Sequence, residues 1–560
     1  MFDHAATLDR ARQACAERAC WSPYPEMPKL YPDAESAAPA GQAAFEAMLG
    51  KPFALDLPGV TGQAGEELSP YTQEPLGITY PQADSDALFA AAKAAMPGWA
   101  AAGVDTRLML LMEGLDRLYR DHLFTLVHSV MHTAGQSYNM AYAGSGVNAL
   151  DRGIEALVYA EQAMRAVTPQ AHWARRFGRD EISLEKTYRL VPRGVAVCFT
   201  CASFPTWNAW PSMLASLATG NAVIVKPHPA SVLPMAITVR VFRDLLDEQG
   251  FDPNLVTLCL DTLDAPLGKV LIKHPDCAIV DFTGSARFGQ WVEANAHPAI
   301  AFTETSGCNT VVLAGAEDLD AAIRSLATTM CMFSAQMCTS PQNVYLPPQI
   351  DTSDGPVARE EVATRLAAAI ARLTEDPRRA SMILATVQGA GTLDLIARMR
   401  DEGRARGKVL LDSRRYEHPD FPGARTATPL LVQLGKEARD LYAEERFGPI
   451  GFVIDCDSAE DALEQATTDA AQKGGITGFL YARDEDLIAR AEDAYSRAGA
   501  QLTINLTGAM PLNFAAAYSD YHVTGLNGAG NAALTTLAFV ASRFAVTQSR
   551  RPVPPSREVR

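Results

Sequence analysis

The chain has 560 residues, 48% of them hydrophobic and 20% charged, with a formal net charge of −16. That composition describes an ordinary globular protein of several domains and excludes a disordered or fibrous chain. The acidic balance argues against nucleic acid or an anionic membrane as partner, and ten cysteines scattered through so long a chain read as reduced thiols, not as a disulfide framework.

The first ten residues lack an apolar signal core and no later run is long enough to span a bilayer, so a cytoplasmic protein is expected. Residues 1–70 read as an N-terminal extension, with a helix over 5–18 and a second near 41–49. Between them the prolines of Trp21-Ser22-Pro23-Tyr24-Pro25 prevent a regular element. Residues 70–81 read as extended and 84–166 as mostly helical. His128 and His132 stand four apart on a helix without an HExxH pattern, which predicts a satisfied pair and no metal.

Beyond residue 187 apolar strands alternate with helices: strands at 195–199, 222–225, 256–260 and 278–282, helices at 207–219, 234–249, near Lys269 and from Ser285. This rhythm predicts an α/β fold, a parallel sheet with crossover helices whose ligand lies outside the carboxyl ends of the strands. The Rossmann-type, dinucleotide-binding domain is expected over 71–180 and 196–303. Cys198 and Cys201 form a lone CxxC at the end of one strand and read as packing residues. Two GxGxxA patterns, at 144–149 and 528–533, are rejected because neither opens a βαβ unit. Phe282-Thr283-Gly284-Ser285 joins strand to helix, where free N–H groups suit a pyrophosphate.

Glu304, in the turn Thr303-Glu304-Thr305-Ser306-Gly307, opens a second α/β unit, the catalytic domain over 304–511. A strand at 309–313 leads into a helix over 317–333, with Leu319, Ile323, Leu326 and Met330 on one face. That helix runs to Phe333-Ser334-Ala335-Gln336-Met337-Cys338. Extended chain carries the backbone roughly 23 Å outward and the helix returns it roughly 25 Å. Antiparallel packing then sets Cys338 beside Glu304, a nucleophile next to a base. Cys331 reads as a buried structural thiol. Further strands are expected at 344–346, 430–432, 451–454 and 537–540, with a helix at 359–373.

The Glu304 turn, the Gln336-Met337-Cys338 end and their separation resemble the aldehyde dehydrogenase superfamily. The resemblance implies that fold: a cofactor domain, a catalytic domain and a small oligomerisation element. It implies Cys338 as the nucleophile forming a thiohemiacetal and then a thioester, Glu304 as the base that activates water, and no metal. Lys226, in Gly220-Asn221-Ala222-Val223-Ile224-Val225-Lys226-Pro227, matches the lysine that binds the adenosine ribose. Gly284 and Ser285 match the pyrophosphate contacts. In Glu444-Glu445-Arg446-Phe447-Gly448-Pro449, Glu445 and Phe447 match the residues at the nicotinamide ribose and ring. Asn505 is a short match to an asparagine near the active site.

Where the family has an oxyanion-binding asparagine before Phe-Pro, this chain has Ser203 in Cys201-Ala202-Ser203-Phe204-Pro205. A hydroxyl donates one hydrogen bond and reaches less far than an amide, so Asn208 stands as the alternative donor. Segments 181–195 and 512–560 resemble those that pair between subunits, covering open strand edges, which implies a homodimer or a dimer of dimers. Pro229 stands where NAD-preferring members carry a glutamate, and no carboxylate follows before Asp244. With Lys226, His228 and Ser231 available to a 2′-phosphate, NADP is expected, NAD being the alternative.

Trp21-Ser22-Pro23-Tyr24-Pro25, Gly50-Lys51-Pro52-Phe53, Ser69-Pro70-Tyr71, Phe204-Pro205-Thr206-Trp207-Asn208 and Gly530-Asn531-Ala532-Ala533-Leu534-Thr535 resemble the phenylacetic acid degradation branch, PaaN. This implies oxidation of a ring-opened, CoA-linked semialdehyde of the 3-oxo-5,6-dehydrosuberyl-CoA semialdehyde type. The alternatives are a dehydrogenase of simple aromatic or aliphatic aldehydes and a cofactor-independent thiol hydrolase.

Overall fold

Apolar, β-branched runs flanked by helices form the first sheet. Its strands are Val195–Phe199 (β1), Val223–Lys226 (β2), Val256–Leu258 (β3), Cys277–Gly284 (β4) and Ile300–Thr305 (β5). All are parallel, in the order β3-β2-β1-β4-β5. The order reverses between β1 and β4, and this reversal opens a crevice beyond the strands' carboxyl ends. The structure, a computed structural model, describes residues 2–305 and 307–553; Ser306 of the Glu304 turn and the end of the basic tail, 554–560, lie outside the described residues.

Glu304 lies in β5 and not in a turn, paired with Thr283 of β4. Its polar neighbours Thr303 and Thr305 hid the strand from a hydrophobicity reading. Helices Ser85–Ala101, Val104–Ala134 and Ala149–Arg165 contribute to the same apolar core as this sheet. The helix expected near 41–49 runs Ala34–Glu46 instead. Most of 70–81 is irregular, with a strand only at Tyr80–Ala83. No single helix among the described residues is long and apolar enough to cross a membrane; Ser85–Ala101 and Val104–Ala134 pass that test only together, across a 118° bend.

The second sheet has strands Asn309–Leu313 (β6), Pro341–Leu346 (β7), Lys408–Leu411 (β8), Leu430–Gly435 (β9), Ile450–Asp455 (β10), Thr477–Tyr481 (β11) and Gln501–Ile504 (β12). The order is β8-β9-β10-β7-β6-β11-β12, parallel except for the edge strand β8. Alternation along β6 sends Val311 and Leu313 to the face covered by Leu319–Cys331 and Arg359–Leu373. Val312 goes to the face covered by Ala459–Lys473 and Glu485–Ala498.

A third, antiparallel sheet orders Phe544–Pro552, Asp180–Pro192 and Gln170–Phe177. The strand expected at 537–540 is the helix Leu537–Ala541, and the partner of Asp180–Pro192 is the more polar segment that follows it. Four apolar residues in a row suit a buried helical turn as well as a strand. Here Phe539 and Val540 are buried in the core of the first sheet.

Arg543, fully buried, anchors this C-terminal segment. Its guanidinium donates to both carboxylate oxygens of Asp281 in β4, at 2.8 and 2.5 Å, and to Ser216 Oγ at 2.7 Å. Phe302 and Phe539 cover it at 4.3 and 4.2 Å. Arg543→Met leaves a buried carboxylate unpaired, which is expected to cost about 3–5 kcal/mol. A lower denaturant midpoint at unchanged slope is the expected reading; an unaltered midpoint contradicts it.

Candidate active site

Chain leaving the carboxyl end of each first-sheet strand lines one cavity of about 850 Å³. Phe199 to Phe204 follow β1, Lys226 and His228 lie at β2, Asp261 beyond β3, Phe282 to Ser285 at β4, and Glu304 with Thr305 at β5. The second unit closes the opposite wall with Met337, Cys338, Glu445 and Phe447, and the segment after residue 511 adds Asn513, Phe514 and His522.

The backbone before Cys338 is strained. Phe333, Ser334 and Ala335 have φ of 48°, 50° and 51°, in the left-handed region that non-glycine residues occupy at roughly 1–3 kcal/mol each. Side chains hold the turn: Ser334 Oγ donates to Leu384 O at 2.9 Å, and Gln336 Nε2 to Thr386 O at 2.8 Å. Asn309, at the start of β6, brackets the cysteine itself. Its amide nitrogen donates to Cys338 O at 2.8 Å and Ser340 O at 2.9 Å, while its oxygen accepts from Ile476 N and Thr477 N at 3.0 Å each. This bracket was invisible in the sequence, where Asn309 reads only as a strand start. Cys331, fully buried, is pushed up to about 12 by burial, as suits a structural thiol.

Glu304 is 2% exposed. Its Oε1 accepts from Asn208 Nδ2 at 2.6 Å and meets His522 Nε2 at 3.1 Å, while Oε2 has no partner among the described residues. The same His522 Nε2 lies 3.7 Å from Cys338 Sγ. Cysteine and glutamate therefore do meet, with a histidine between them. Nothing marked His522 beforehand: it is a single histidine in a loop, delivered by a long excursion of the chain. The Trp207 ring packs at 4.6 Å from the imidazole. A thiol hydrolase relay holds its histidine through one ring nitrogen and uses the other as base. Here Nε2 faces both partners and Nδ1 is buried without one, which disfavours that alternative.

The segment carrying His522, within 512–560, also reaches the site. Thr305 N donates to Ala529 O at 2.8 Å and Thr303 N to Asn531 Oδ1 at 2.8 Å, and Gly530 forms an antiparallel bridge with Glu304. A Cβ on Gly530, whose φ is +147°, falls 2.3 Å from Thr303 O, so glycine is required for this approach. The polar stretch 527–531 thus covers the outer edge of β5.

Ser203 lines the cavity, but its hydroxyl is directed at Cys201 Sγ, 4.0 Å away, and its carbonyl accepts from Gln136 Nε2 at 2.7 Å. Cys201 also lines the cavity, whereas Cys198 is a buried packing residue. Asn505 lies outside the cavity lining; its side chain bonds to both backbone groups of Ala482, at 3.0 and 2.8 Å.

The other arm of the cavity suits a dinucleotide. Ser285 caps the helix Ala286–Asn295 by accepting from Phe288 N at 3.4 Å. A Cβ on Gly284 falls 2.7 Å from Phe282 Cζ, so glycine keeps the junction open where helix-start N–H groups attract phosphate. Glu445 and Phe447 line the same cavity. Lys226 Nζ lies 2.6 Å from Asp261 Oδ1, and Asp261 Oδ2 accepts from Leu267 N at 3.0 Å. No carboxylate follows Lys226 in the sequence before Asp244, but the fold brings Asp261 against it from the loop beyond β3. Ser231 is fully buried and bonded to Thr133 Oγ1 at 2.9 Å. His228 lines the cavity, is pushed below its ordinary range by burial and accepts from Ala230 N at 3.1 Å through Nδ1.

The aldehyde dehydrogenase family model matches residues 60–514. The chain belongs to the aldehyde dehydrogenase family. Its fold matches the crystal structure of an NAD-dependent aldehyde dehydrogenase from Burkholderia multivorans with a TM-score of 0.95 and 44% identity, covering 99% of this chain and 100% of that one. Vanillin dehydrogenase of a Pseudomonas species is 27% identical over 413 residues, 72% of this chain and 77% of the relative. A 1-pyrroline-5-carboxylate dehydrogenase of Bacillus licheniformis is 25% identical over 469 residues, 79% and 82% of the two chains. The protein is accordingly a nicotinamide-dependent aldehyde dehydrogenase.

In this aldehyde dehydrogenase, burial holds the Cys338 thiol well above the ordinary range and the Glu304 charge adds to the shift. Alkylation requires the thiolate, so iodoacetamide inactivation of the enzyme without cofactor is expected to accelerate only on the alkaline side. Glu304→Gln removes a repelling charge and is expected to move that limb to lower pH. An unmoved limb contradicts the electrostatic contact.

Proposed function

We propose that Cys338 and Glu304 divide between them the oxidation of an aldehyde whose reacting arm is uncharged. The convergence of both side chains on one cavity with a dinucleotide arm supports this reading most directly. Cys338, once its thiol proton has passed to solvent, adds as thiolate to the aldehyde carbon and the carbonyl oxygen becomes an oxyanion. One amide N–H of Asn208 is committed to Glu304 and the second is available to the oxyanion, so Asn208 takes the role first given to Ser203. Lys226, Gly284, Ser285, Glu445 and Phe447, which line the cavity, would hold a nicotinamide dinucleotide, and that group would supply the acceptor for the hydride leaving the thiohemiacetal carbon. A thioester remains on Cys338. Glu304 then removes a proton from water, the hydroxide adds to the thioester carbon, and Cys338 leaves as thiolate from the carboxylic acid product. His522 holds the Glu304 carboxylate through Nε2–H.

Substrate choice follows from the lining. Met140, Phe204, Trp207, Met337 and Phe514 line the cavity together with Cys338, and the lysines of its described lining are Lys226, at the carboxyl end of β2 beside Asp261, and Lys269. No lining arginine or lysine on the Cys338 side waits for a substrate carboxylate. We favour a ring-opened, CoA-linked semialdehyde of phenylacetate degradation, since two of the PaaN-like segments, 204–208 and 530–535, border the site. A simple aromatic aldehyde is second, favoured by the aromatic lining. A panel of free and CoA-linked aldehydes, followed by nicotinamide absorbance, tests this. Highest kcat/KM with a carboxylate-bearing short semialdehyde overturns it.

For the cofactor we propose NAD in place of the NADP expected from the sequence. Asp261 neutralises Lys226 and suits a ribose hydroxyl, whereas it repels a 2′-phosphate. Asp261→Ser is expected to raise the NADP to NAD ratio of kcat/KM by about tenfold or more; a wild type faster with NADP overturns the reading. We further propose a homodimer or dimer of dimers, since the outer strands of the three-stranded sheet leave open edges. An active monomer in sedimentation contradicts this.

A further inference from the structure

The three side chains between the sheets make a donor set. Glu304, Cys338 and His522 each offer one ligand atom, all within 4.8 Å of one another. Cys338 Sγ and His522 Nε2 are 3.7 Å apart, and His522 Nε2 and Glu304 Oε1 3.1 Å apart. Around a tetrahedral zinc ion, with Zn–S near 2.3 Å and Zn–N and Zn–O near 2.0–2.2 Å, the sulfur–nitrogen edge is about 3.6 Å and the nitrogen–oxygen edge about 3.4 Å. Two edges of one face of that tetrahedron therefore stand within a few tenths of an ångström of their bound lengths before any ion arrives, and the third, sulfur to carboxylate oxygen, is at most 4.8 Å.

A second observation is independent of those distances. Glu304 is 2% exposed yet its Oε2 lacks a hydrogen-bond partner among the described residues, although the side chain lines the cavity. Outer contacts already orient the ligands: Asn208 Nδ2 on Glu304 Oε1 at 2.6 Å and the Trp207 ring beside His522.

We propose that Cys338, His522 and Glu304 bind one zinc-class divalent cation per chain, with the fourth position toward the cavity, and that this ion reversibly inhibits the enzyme. The thiolate, imidazole and carboxylate set selects a borderline-soft ion over magnesium or calcium. Binding releases the thiol proton to solvent, moves the imidazole proton of His522 from Nε2 to Nδ1, and involves no change of oxidation state. The inhibition, though not the binding, rests on the proposed roles of Cys338 and Glu304, because the ion occupies nucleophile and base together. It is expected to be competitive with aldehyde.

Cobalt(II) titration of the full chain tests binding without reference to turnover. The expected result is one equivalent bound, with a thiolate-to-cobalt charge-transfer band and the intense visible bands of tetrahedral cobalt, both abolished by equimolar zinc and untouched by excess magnesium. Cys338→Ser is expected to remove the charge-transfer band, and His522→Gln to weaken binding by at least about tenfold. A missing charge-transfer band in the wild type, or one that persists undiminished in Cys338→Ser, overturns the site. In parallel, zinc is expected to suppress turnover and a chelator to restore it. A normal cobalt spectrum with turnover unaffected by saturating zinc overturns the inhibition, whereas steady-state turnover retained in Cys338→Ala without zinc overturns the catalytic reading of the pair.

Discussion

Cys338→Ala is expected to lower aldehyde-dependent nicotinamide reduction by about 10⁴-fold or more, the scale seen when the nucleophile of a covalent mechanism is removed. The argument is structural. Three consecutive left-handed residues, 333–335, and the Asn309 bracket hold Cys338 at the cavity wall. Cys201 lines the same cavity, but it lies on the opposite unit and its thiol is also pushed up by burial. It is therefore no substitute nucleophile. Protein fluorescence on titration with NAD separates the two consequences, since the alanine variant is expected to keep cofactor binding. Steady-state activity within a factor of ten of wild type contradicts the covalent mechanism.

Glu304→Gln is expected to slow steady-state turnover by about 10²–10⁴-fold, the contribution of a positioned general base, while a burst of cofactor reduction survives. Hydride transfer precedes hydrolysis, the step for which Glu304 is the base, so one equivalent of reduced nicotinamide forms per active chain as the thioester accumulates. Glutamine retains an oxygen to accept from Asn208 Nδ2 and from His522 Nε2–H, so the geometry is preserved and the proton acceptor lost. Loss of the burst together with turnover contradicts this division of labour.

Proximity of Cys338 and Glu304 was legible because outward and return lengths of chain nearly cancel, a property of strand and helix rise that needs no knowledge of side-chain contacts. Parallel sheets were legible for a similar reason: strands buried on both faces read as unbroken apolar runs. Where burial comes from a neighbouring segment, the sequence was silent. Thr303-Glu304-Thr305 is too polar to announce an edge strand, yet residues 527–531 cover its edge. His522 and Asp261 reach the site from loops, where no periodicity constrains position, and each changes the chemistry next to a residue that was foreseen. The helix Leu537–Ala541 failed as a strand because a short apolar run carries no period.

The most direct measurement is the intact mass of Glu304→Gln, quenched in acid immediately after mixing with aldehyde and NAD, followed by peptide mapping. A covalent proposal with slowed hydrolysis predicts a single adduct equal to the acyl group of the aldehyde, located on Cys338 and absent when Cys338→Ala is added to the same chain. An unmodified chain during active turnover, or an adduct on any other residue, contradicts it.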